Sequence, residues 1–484
     1  MHYIQPHDRN QLIFLNKLDD LVSQDNIIRL LDSLVDNIIN TNPKEFTDKG
    51  VSAVGRRAYS PNLFIKLYIY GYFNGINSSR KLEKESQRNI ELIWLLGNLQ
   101  PDFKTIADFR KDNGDKIQLV LCQFSHFLKG QHYIAGNTIS LDGTKLRANA
   151  GRSTNIEGIE KRLQNLQEQL GEYFKTLDQN DSDDDFSNSK EKEELLEKIR
   201  NLESKVEELQ KTKEFLQSEN LKYYSPTDPE SRLMKSREGK HFCYNAQVTV
   251  DEKNKMLVTN EITQSQNDKD QLEPAIKRLS EENITPAILL ADTGYFKTDA
   301  IKNVEENNKI KCYIPINYNK ASLKDISHHI EFTYHKESDQ YICSQGQILS
   351  LKVEGKVDNH RNTIKNSYQS ANCNQCHQKE DCCPGKSRRV KWRHADQKWR
   401  DEYETRMKSE EAKKQINKRK ALSEHPFGTI KYWMGKIPVK VKGIKKVQTE
   451  FNLYHIAYNF KRLTNVNDFY QIRNELSGFN WKIA

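Results

Sequence analysis

Thr138-Ile139-Ser140-Leu141-Asp142-Gly143-Thr144-Lys145-Leu146-Arg147 is a β-branched, apolar run with one acid at its centre and a Gly-Thr break directly behind it. That is the pattern of a core strand delivering a carboxylate to the rim of a sheet. A second stretch repeats the design. In Ala287-Ile288-Leu289-Leu290-Ala291-Asp292-Thr293-Gly294-Tyr295 five apolar residues bury the strand, and Asp292 stands where it ends. A strand-borne acid taken singly is most often a satisfied structural group. Two of the same design point to a carboxylate site that holds divalent metal.

The flanking sequence supplies the rest of a sheet. Tyr244-Asn245-Ala246-Gln247-Val248-Thr249-Val250 and Leu257-Val258-Thr259-Asn260-Glu261-Ile262 alternate like a half-buried hairpin around Asp251-Glu252-Lys253-Asn254. Leu272, Ile276 and Leu279 set a helix ahead of the Asp292 strand. A helix over 298–308 and the strand Lys311-Cys312-Tyr313-Ile314-Pro315-Ile316 follow it. This order predicts an α/β fold, an α+β mixed sheet covered by helices. A different kind of sequence interrupts it after the first strand. Leu195, Ile199, Leu202, Val206 and Leu209 form a heptad seam, and Ile156, Ile159, Leu163, Leu166, Leu170, Phe174 and Leu177 a similar stripe. The acidic link Asp178-Gln179-Asn180-Asp181-Ser182-Asp183-Asp184-Asp185 joins them, so an antiparallel helical hairpin within one chain is expected, with pairing between chains as the rival. No EF-hand spacing accompanies the aspartates.

Ahead of the sheet the chain is helical. Leu15, Leu18, Leu21 and Val22, then Ile27, Ile28, Leu30, Leu31, Leu34 and Val35, recur at helical intervals. Tyr59-Ser60-Pro61 starts another helix, with Ser60 as N-cap and Pro61 at the first helical position. Pro101-Asp102-Phe103-Lys104-Thr105 opens one more. Two readings compete for this region: a bundle without a ligand, or a DNA-end-binding domain using Arg80, Lys81, Arg110 and Lys111 on phosphates.

Charge divides the chain unevenly. Residues 1–350 carry 47 Lys and Arg against 53 Asp and Glu, a net −6, and residues 351–484 carry 29 against 14, a net +15. A strongly basic third beside a carboxylate site favours a polyanion, with nucleic acid foremost. No run approaches the ~18 apolar residues of a membrane span, and Met1-His2-Tyr3-Ile4-Gln5-Pro6 lacks a secretory apolar segment. The expectation is a cytoplasmic, nucleoid-associated protein without a membrane partner.

A third acid would complete a metal shell. Glu424, in Arg419-Lys420-Ala421-Leu422-Ser423-Glu424-His425-Pro426-Phe427-Gly428-Thr429-Ile430-Lys431, shares a helical face with Lys431, a cation that could hold a phosphate. Pro426 is comfortable only in a first helical turn. With Ser140 to Lys145, Leu290 to Tyr295 and Glu424 to Lys431 in this order, the sequence resembles the DDE transposases of bacterial insertion sequences. Glu450-Phe451-Asn452-Leu453-Tyr454, Ala457-Tyr458-Asn459-Phe460-Lys461-Arg462-Leu463, Tyr59-Ser60-Pro61, Tyr70-Gly71-Tyr72 and Ser78-Ser79-Arg80 fit as well. The resemblance implies a ribonuclease-H-like core in which Asp142, Asp292 and Glu424 bind two Mg²⁺ ions. It further implies hydrolysis at the element's terminal inverted repeats, attack of the freed 3′-hydroxyl on target DNA, and at least a transient homodimer. One departure stands out. Relatives often carry Tyr-x2-Arg-x3-Glu-x6-Lys, whereas here Asn417 and Lys420 hold the Tyr and Arg positions before Glu424. A rival register, Tyr403-x2-Arg406-x3-Glu410, meets Asn417 in place of the Lys. The flanking block favours Glu424.

Five of eight cysteines cluster: Cys343, Cys373, Cys376, Cys382 and Cys383. A C-x2-C pair plus two more thiols can hold a structural zinc through Cys343, Cys373, Cys376 and either Cys382 or Cys383, with His377 an outside candidate. Reduced thiols without a ligand are the rival. Arg388, Arg389, Lys391, Trp392 and Arg393 follow, cations interleaved with an indole that suit a DNA backbone and an unstacked base. Arg419 and Lys420 are further DNA candidates.

The expected organisation is a helical DNA-binding domain over 1–130, core segments over 131–155 and 223–320, and a hairpin insertion over 156–222. A Cys-rich basic insertion over 321–400 and the segment with the third acid over 401–484 complete it. A metal-dependent nuclease without strand transfer, or an inactive DNA-binding descendant, are the alternatives.

Overall fold

A computed structural model describes residues 17–47, 58–151, 153–180, 190–236, 239–316, 332–358, 363–382, 390–394, 396–432 and 439–482. In chain order the helices α1 (Ile27–Thr41), α2 (Pro61–Phe73), α3 (Ser79–Arg88), α4 (Ile90–Leu95), α5 (Phe103–Asp112) and α6 (Gly114–Gly130) precede strand β1 (Thr138–Arg147). Then come α7 (Ile156–Asn180), α8 (Lys190–Ser218), β2 (Arg232–Ser236), β3 (Gly239–Asp251), β4 (Leu257–Thr263), α9 (Leu272–Glu281), β5 (Ile288–Leu290), α10 (Thr298–Asn308) and β6 (Lys311–Tyr313). Strands β7 (Phe332–His335), β8 (Gln340–Cys343), β9 (Ile348–Asp358), β10 (Thr363–Gln369) and β11 (Val390–His394) follow. Helices α11 (Gln397–Lys408), α12 (Glu410–Tyr432), α13 (Ile444–Val466) and α14 (Phe469–Gly478) end the series. None of the described helices is long and apolar enough to cross a membrane.

The chain divides into two compact units. One comprises Met1–Asp268, Glu281–Ile284 and Leu422–Ala484, the other Lys269–Ser280 and Thr285–Ala421. Strands and helices alternate along it, with antiparallel and parallel pairings both present, so the fold is mixed α/β with a helical N-terminal region.

In the first unit β3 takes β1 along one edge and β2 and β4 along the other, all antiparallel. The predicted hairpin is β3–β4. Its outer strand would expose an unpaired edge, and α13 closes it with side chains: Asn459 Oδ1 accepts from the Leu257 N–H, its Nδ2 donates to the Leu257 carbonyl, and Gln448 Oε1 accepts from the Ile262 N–H. Helix α13 is buried around most of its circumference, with Phe451, Tyr454, Tyr458 and Phe460 in the core. Tyr72 of α2 meets Tyr454 edge-on at 4.6 Å, and Phe127 of α6 stacks on Trp481 at 5.3 Å. The N-terminal helices therefore share one core with the last helices of the chain, and the boundary expected at 130 is not a boundary of packing. Ser60 caps α2 as its sequence requires, accepting from the Asn62 N–H with Pro61 at the first position.

The hairpin insertion forms within one chain. Lys213, late in α8, pairs with Glu160, early in α7, at 2.7 Å, so the helices run antiparallel, and Ile159, Ile199 and Leu202 are buried along the seam. A two-bond bridge between Thr154 and Tyr224 closes its base. Residues 181–185 of the acidic link lie outside the described residues.

In the second unit β5 and β6 pair in parallel, with α10 as the crossover. Tyr403 of α11 donates its hydroxyl to the Ile314 carbonyl at 2.8 Å, and Arg406 reaches Glu305 and the Cys312 carbonyl. A separate antiparallel sheet runs in the order β11-β10-β9-β8-β7. Segment 401–484 is consequently not one structural piece: its residues up to Ala421 belong to this second unit.

Candidate active site

Within the first unit, strand β1 and helix α12 meet at two side-chain contacts. Ser140 and Ser423 hydroxyls lie 3.0 Å apart, and Lys431 Nζ donates to Thr144 Oγ1 at 2.7 Å. The spacing explains why both form at once. Four strand residues advance ~13 Å and eight helical residues ~12 Å, so strand and helix run alongside each other over this length. Ser140, Asp142 and Thr144 occupy one face of β1 by strand alternation. Asp142 thus lies between the two anchors, and on the helix the same interval carries Glu424 and Phe427. Asp142 is half-buried, with Oδ1 accepting from the Gly143 N–H at 2.8 Å, and Glu424 is exposed. The Lys431 ammonium also stands 5.5 Å from the centre of the Phe427 ring. On the opposite face of β1, Lys145 turns away from this site toward Asp268, 3.8 Å off.

Helix α12 runs through Pro426 from a start at Glu410, so the proline is not in a first turn. Lacking an N–H, it leaves the Leu422 carbonyl without its usual helical donor. Adjacent His425 is anchored instead by side chains: its Nδ1 is 3.0 Å from the Tyr458 hydroxyl, which donates to the Lys255 carbonyl at 2.7 Å. Because that hydroxyl proton is already committed, Nδ1 carries the proton toward Tyr458. Burial, with Arg462 and Lys255 nearby, lowers the His425 pKa and keeps it neutral.

Asp292 belongs to the second unit. It stands two residues past the end of β5, as its sequence requires, and its Oδ1 accepts from the Gly294 N–H at 2.8 Å, opening a 3₁₀ turn over Thr293–Tyr295. The rival register finds other employment. Tyr403 and Arg406 tie α11 to β6 and α10, and exposed Glu410 pairs with Lys413 at 2.6 Å at the start of α12. Among the described residues, no group of three or more His, Cys, Asp or Glu is placed to hold a metal ion.

The expected DNA contacts separate into different kinds of residue. Arg80 and Lys81 are exposed on α3, Arg80 lying over the Phe103 ring, and Lys111 is exposed beside Asp108 and Asp112. Arg110 is a correction. Only 6% exposed, it donates to the Tyr72 hydroxyl at 3.0 Å, lies 3.7 Å from Glu450 and sits over the Tyr68 ring. A guanidinium so enclosed holds the helical core together and does not meet a phosphate. Arg393 is a second correction: it is buried against the Tyr334 ring with Asp401 at 3.3 Å. Lys391 lies over Phe332, Trp392 is exposed, Arg419 half-buried and Lys420 exposed. Arg388 and Arg389 fall outside the described residues. Sequence reading missed Ser140, Thr144, Ser423 and Tyr458. The only signal for Thr144 was its place two residues after Asp142, on the same strand face.

The thiols Cys343, Cys373, Cys376 and Cys382 line one small cavity of about 20 Å³ in the second unit, with Phe332 and Leu349 as apolar walls. Cys383 lies outside the described residues. Cys243 and Cys312 are buried, and burial pushes the Cys312 thiol pKa far up, so it stays protonated; Cys122 is half-buried.

Residues 16–112 match the family described as a transposase domain (DUF772), and residues 342–464 match the transposase DDE domain family, a span that includes Glu424 and Lys431. No curated protein is similar in sequence. Among solved structures, the piggyBac transposase synaptic complex with hairpin DNA is similar at 11% identity, covering 93% of this chain and 84% of that one, with a TM-score of 0.25. A likeness at that score carries no weight for chemistry. A match to a transposase domain near one end and to a transposase DDE domain toward the other supports a DDE-type transposase.

Proposed function

We propose that this transposase cleaves DNA at the terminal inverted repeats of its element and joins the freed 3′-hydroxyl to target DNA. Asp142, Asp292 and Glu424 are its metal-binding carboxylates in a ribonuclease-H-like core. The observation that carries this reading is the pair of anchors, Ser140 to Ser423 and Thr144 to Lys431, which bracket Asp142 on the strand and Glu424 on the helix. Hard carboxylate oxygens suit Mg²⁺, and two such ions when bound activate the attacking oxygen and stabilise the leaving one. The protein's own part is positional. Thr144 holds the Lys431 ammonium at the end of the Asp142 strand, where it can meet a non-bridging phosphate oxygen. His425 and Tyr458 fix the helix through the turn that Pro426 weakens. Arg80, Lys81, Lys111 and Lys420 are exposed cations suited to the DNA backbone, and a homodimer would bring two element ends together.

A structural zinc in the second unit would draw on soft thiolates, which prefer that ion. Cys343, Cys373, Cys376 and Cys382 line one cavity but as they stand are not placed to hold a metal, so the thiols would have to converge on it. Protein purified without added metal should carry about one zinc per chain, released on titrating its thiols with a mercurial. Metal-free protein that melts at the same temperature would rule this ion out.

The experiment for the main reading takes purified protein, Mg²⁺ and a labelled duplex bearing the DNA that flanks this reading frame. Nicks at the repeat ends together with joined products are expected. Cleavage without joining would replace strand transfer with a nuclease activity, and neither product would remove the catalytic assignment.

A further inference from the structure

The antiparallel sheet of the second unit brings together residues far apart in sequence. Register sets Lys356 of β9 opposite Lys365 of β10, and Lys365 opposite His394 of β11. The adjoining row is Val353, Ser367 and Trp392. Directly opposed residues share a face, so these six form one patch. Trp392 is 47% exposed and Val353 45%, while Ser367 between them is buried as the floor. The Lys356 ammonium lies 5.3 Å from the indole centre. Arg393 and Lys391 do not belong to the patch: Arg393 faces the Tyr334 ring, and Lys391 lies over Phe332.

The half-exposed indole leaves apolar surface in water, and register sets Lys356 and Lys365 on the same face beside it. A polyanion with unstacked aromatic rings would cover the first and meet the second. In a duplex the bases stack on one another and present no ring face, whereas an unpaired strand presents one at every nucleotide.

We propose that this sheet face binds an unpaired DNA strand, one base stacking on Trp392 while Lys356 and Lys365 meet the neighbouring phosphates. The proposal rests on the DNA-processing reading above and adds to it a site for an unpaired strand. Burial, with Arg400 close by, lowers the His394 pKa, so His394 contributes a neutral ring rather than a third cation. Ser367 is too deep to touch DNA.

The test measures anisotropy of labelled oligothymidylate, and of a duplex of equal length, with the full-length protein in EDTA. Trp392→Ala should weaken single-strand affinity roughly five- to a hundredfold and leave duplex affinity within about twofold. Trp392→Phe, which keeps a ring, should retain most of it and controls for folding. Changing Lys356 and Lys365 to Gln should flatten the salt dependence by about 0.7 for each phosphate no longer neutralised. Single-strand affinity indifferent to Trp392→Ala, or an equal loss on duplex, would overturn the proposal. Wild-type protein that binds oligothymidylate through Trp392 but never cuts element ends would sink the transposition reading and leave this one standing. Cleavage with strand binding that ignores Trp392 would do the reverse.

Discussion

Asp142 and Asp292 stood out in the sequence as a pair, because one strand-borne acid is most often a satisfied structural group while two of the same design ask for a shared explanation. Replacing Asp292 with Asn should abolish cleavage by roughly a thousandfold or more while leaving DNA binding in Mg²⁺-free buffer nearly intact. A gel assay of both activities checks it, and full cleavage would sink the assignment. Lys431→Ala should lower cleavage roughly ten- to a hundredfold, since one charge-assisted hydrogen bond to phosphate disappears. Thr144→Val should do less, since it removes only the hydroxyl that holds the ammonium. His455 gives a prediction about pH. It is fully buried, its Nε2–H donating to the Leu257 carbonyl while Nδ1 accepts from Asn260, and burial drops its pKa to about 4. Below the ordinary histidine value near 6.5 the unfolded chain gains a proton that the folded chain refuses. Stability present above pH 6.5 is therefore lost as pH falls toward 4, by about 3 kcal/mol in all. Denaturant melts across that window should show the slope, and His455→Gln should flatten it.

Among the elements, α12 is where sequence reading was least secure, because Pro426 argued for a helix starting nearby. The helix runs on past the proline with side-chain contacts to β1 on both sides of it, at buried Ser423 and at exposed Lys431. The helical hairpin was the opposite case. A heptad seam is a local, repeated signal, and α7 and α8 follow it. Because the Thr154–Tyr224 bridge closes the base, a short Gly-Ser linker in place of residues 156–222 should leave the remaining fold intact. Circular dichroism should lose helical signal while the main melting transition moves by only a few degrees. Collapse of that transition would mean that the hairpin supports the core. The Arg110 network makes a third element-scale case. Arg110→Ala would leave Glu450 buried without its cation, a loss of about 3–5 kcal/mol, readable as a large drop in the denaturant midpoint. Tyr72, whose hydroxyl pKa burial drives well above the usual range, would lose its donor in the same variant.

For the whole molecule, the charge asymmetry bears on the proposed DNA binding. With the last third at +15, affinity for non-specific duplex should fall at least roughly a hundredfold between 50 and 200 mM salt, as counterion release requires. A salt titration by anisotropy checks it, and a flat response would mean that the cations serve the fold, as Arg110 and Arg393 do. Sequence alone determined the strand acids, the helix caps, the hairpin seam, the cysteine cluster and the order of the motifs, because each is written in local pattern over a few turns or strand residues. It could not tell Arg110 from Lys111, neighbours of like charge, because burial depends on which side of α5 meets Tyr72 and Glu450. Nor could it pair Thr144 with Lys431, group Lys356 with Trp392, or join the first helices and the last into one core. Those pairings span long sequence separations, fixed only when sheet register and helix packing choose which faces meet.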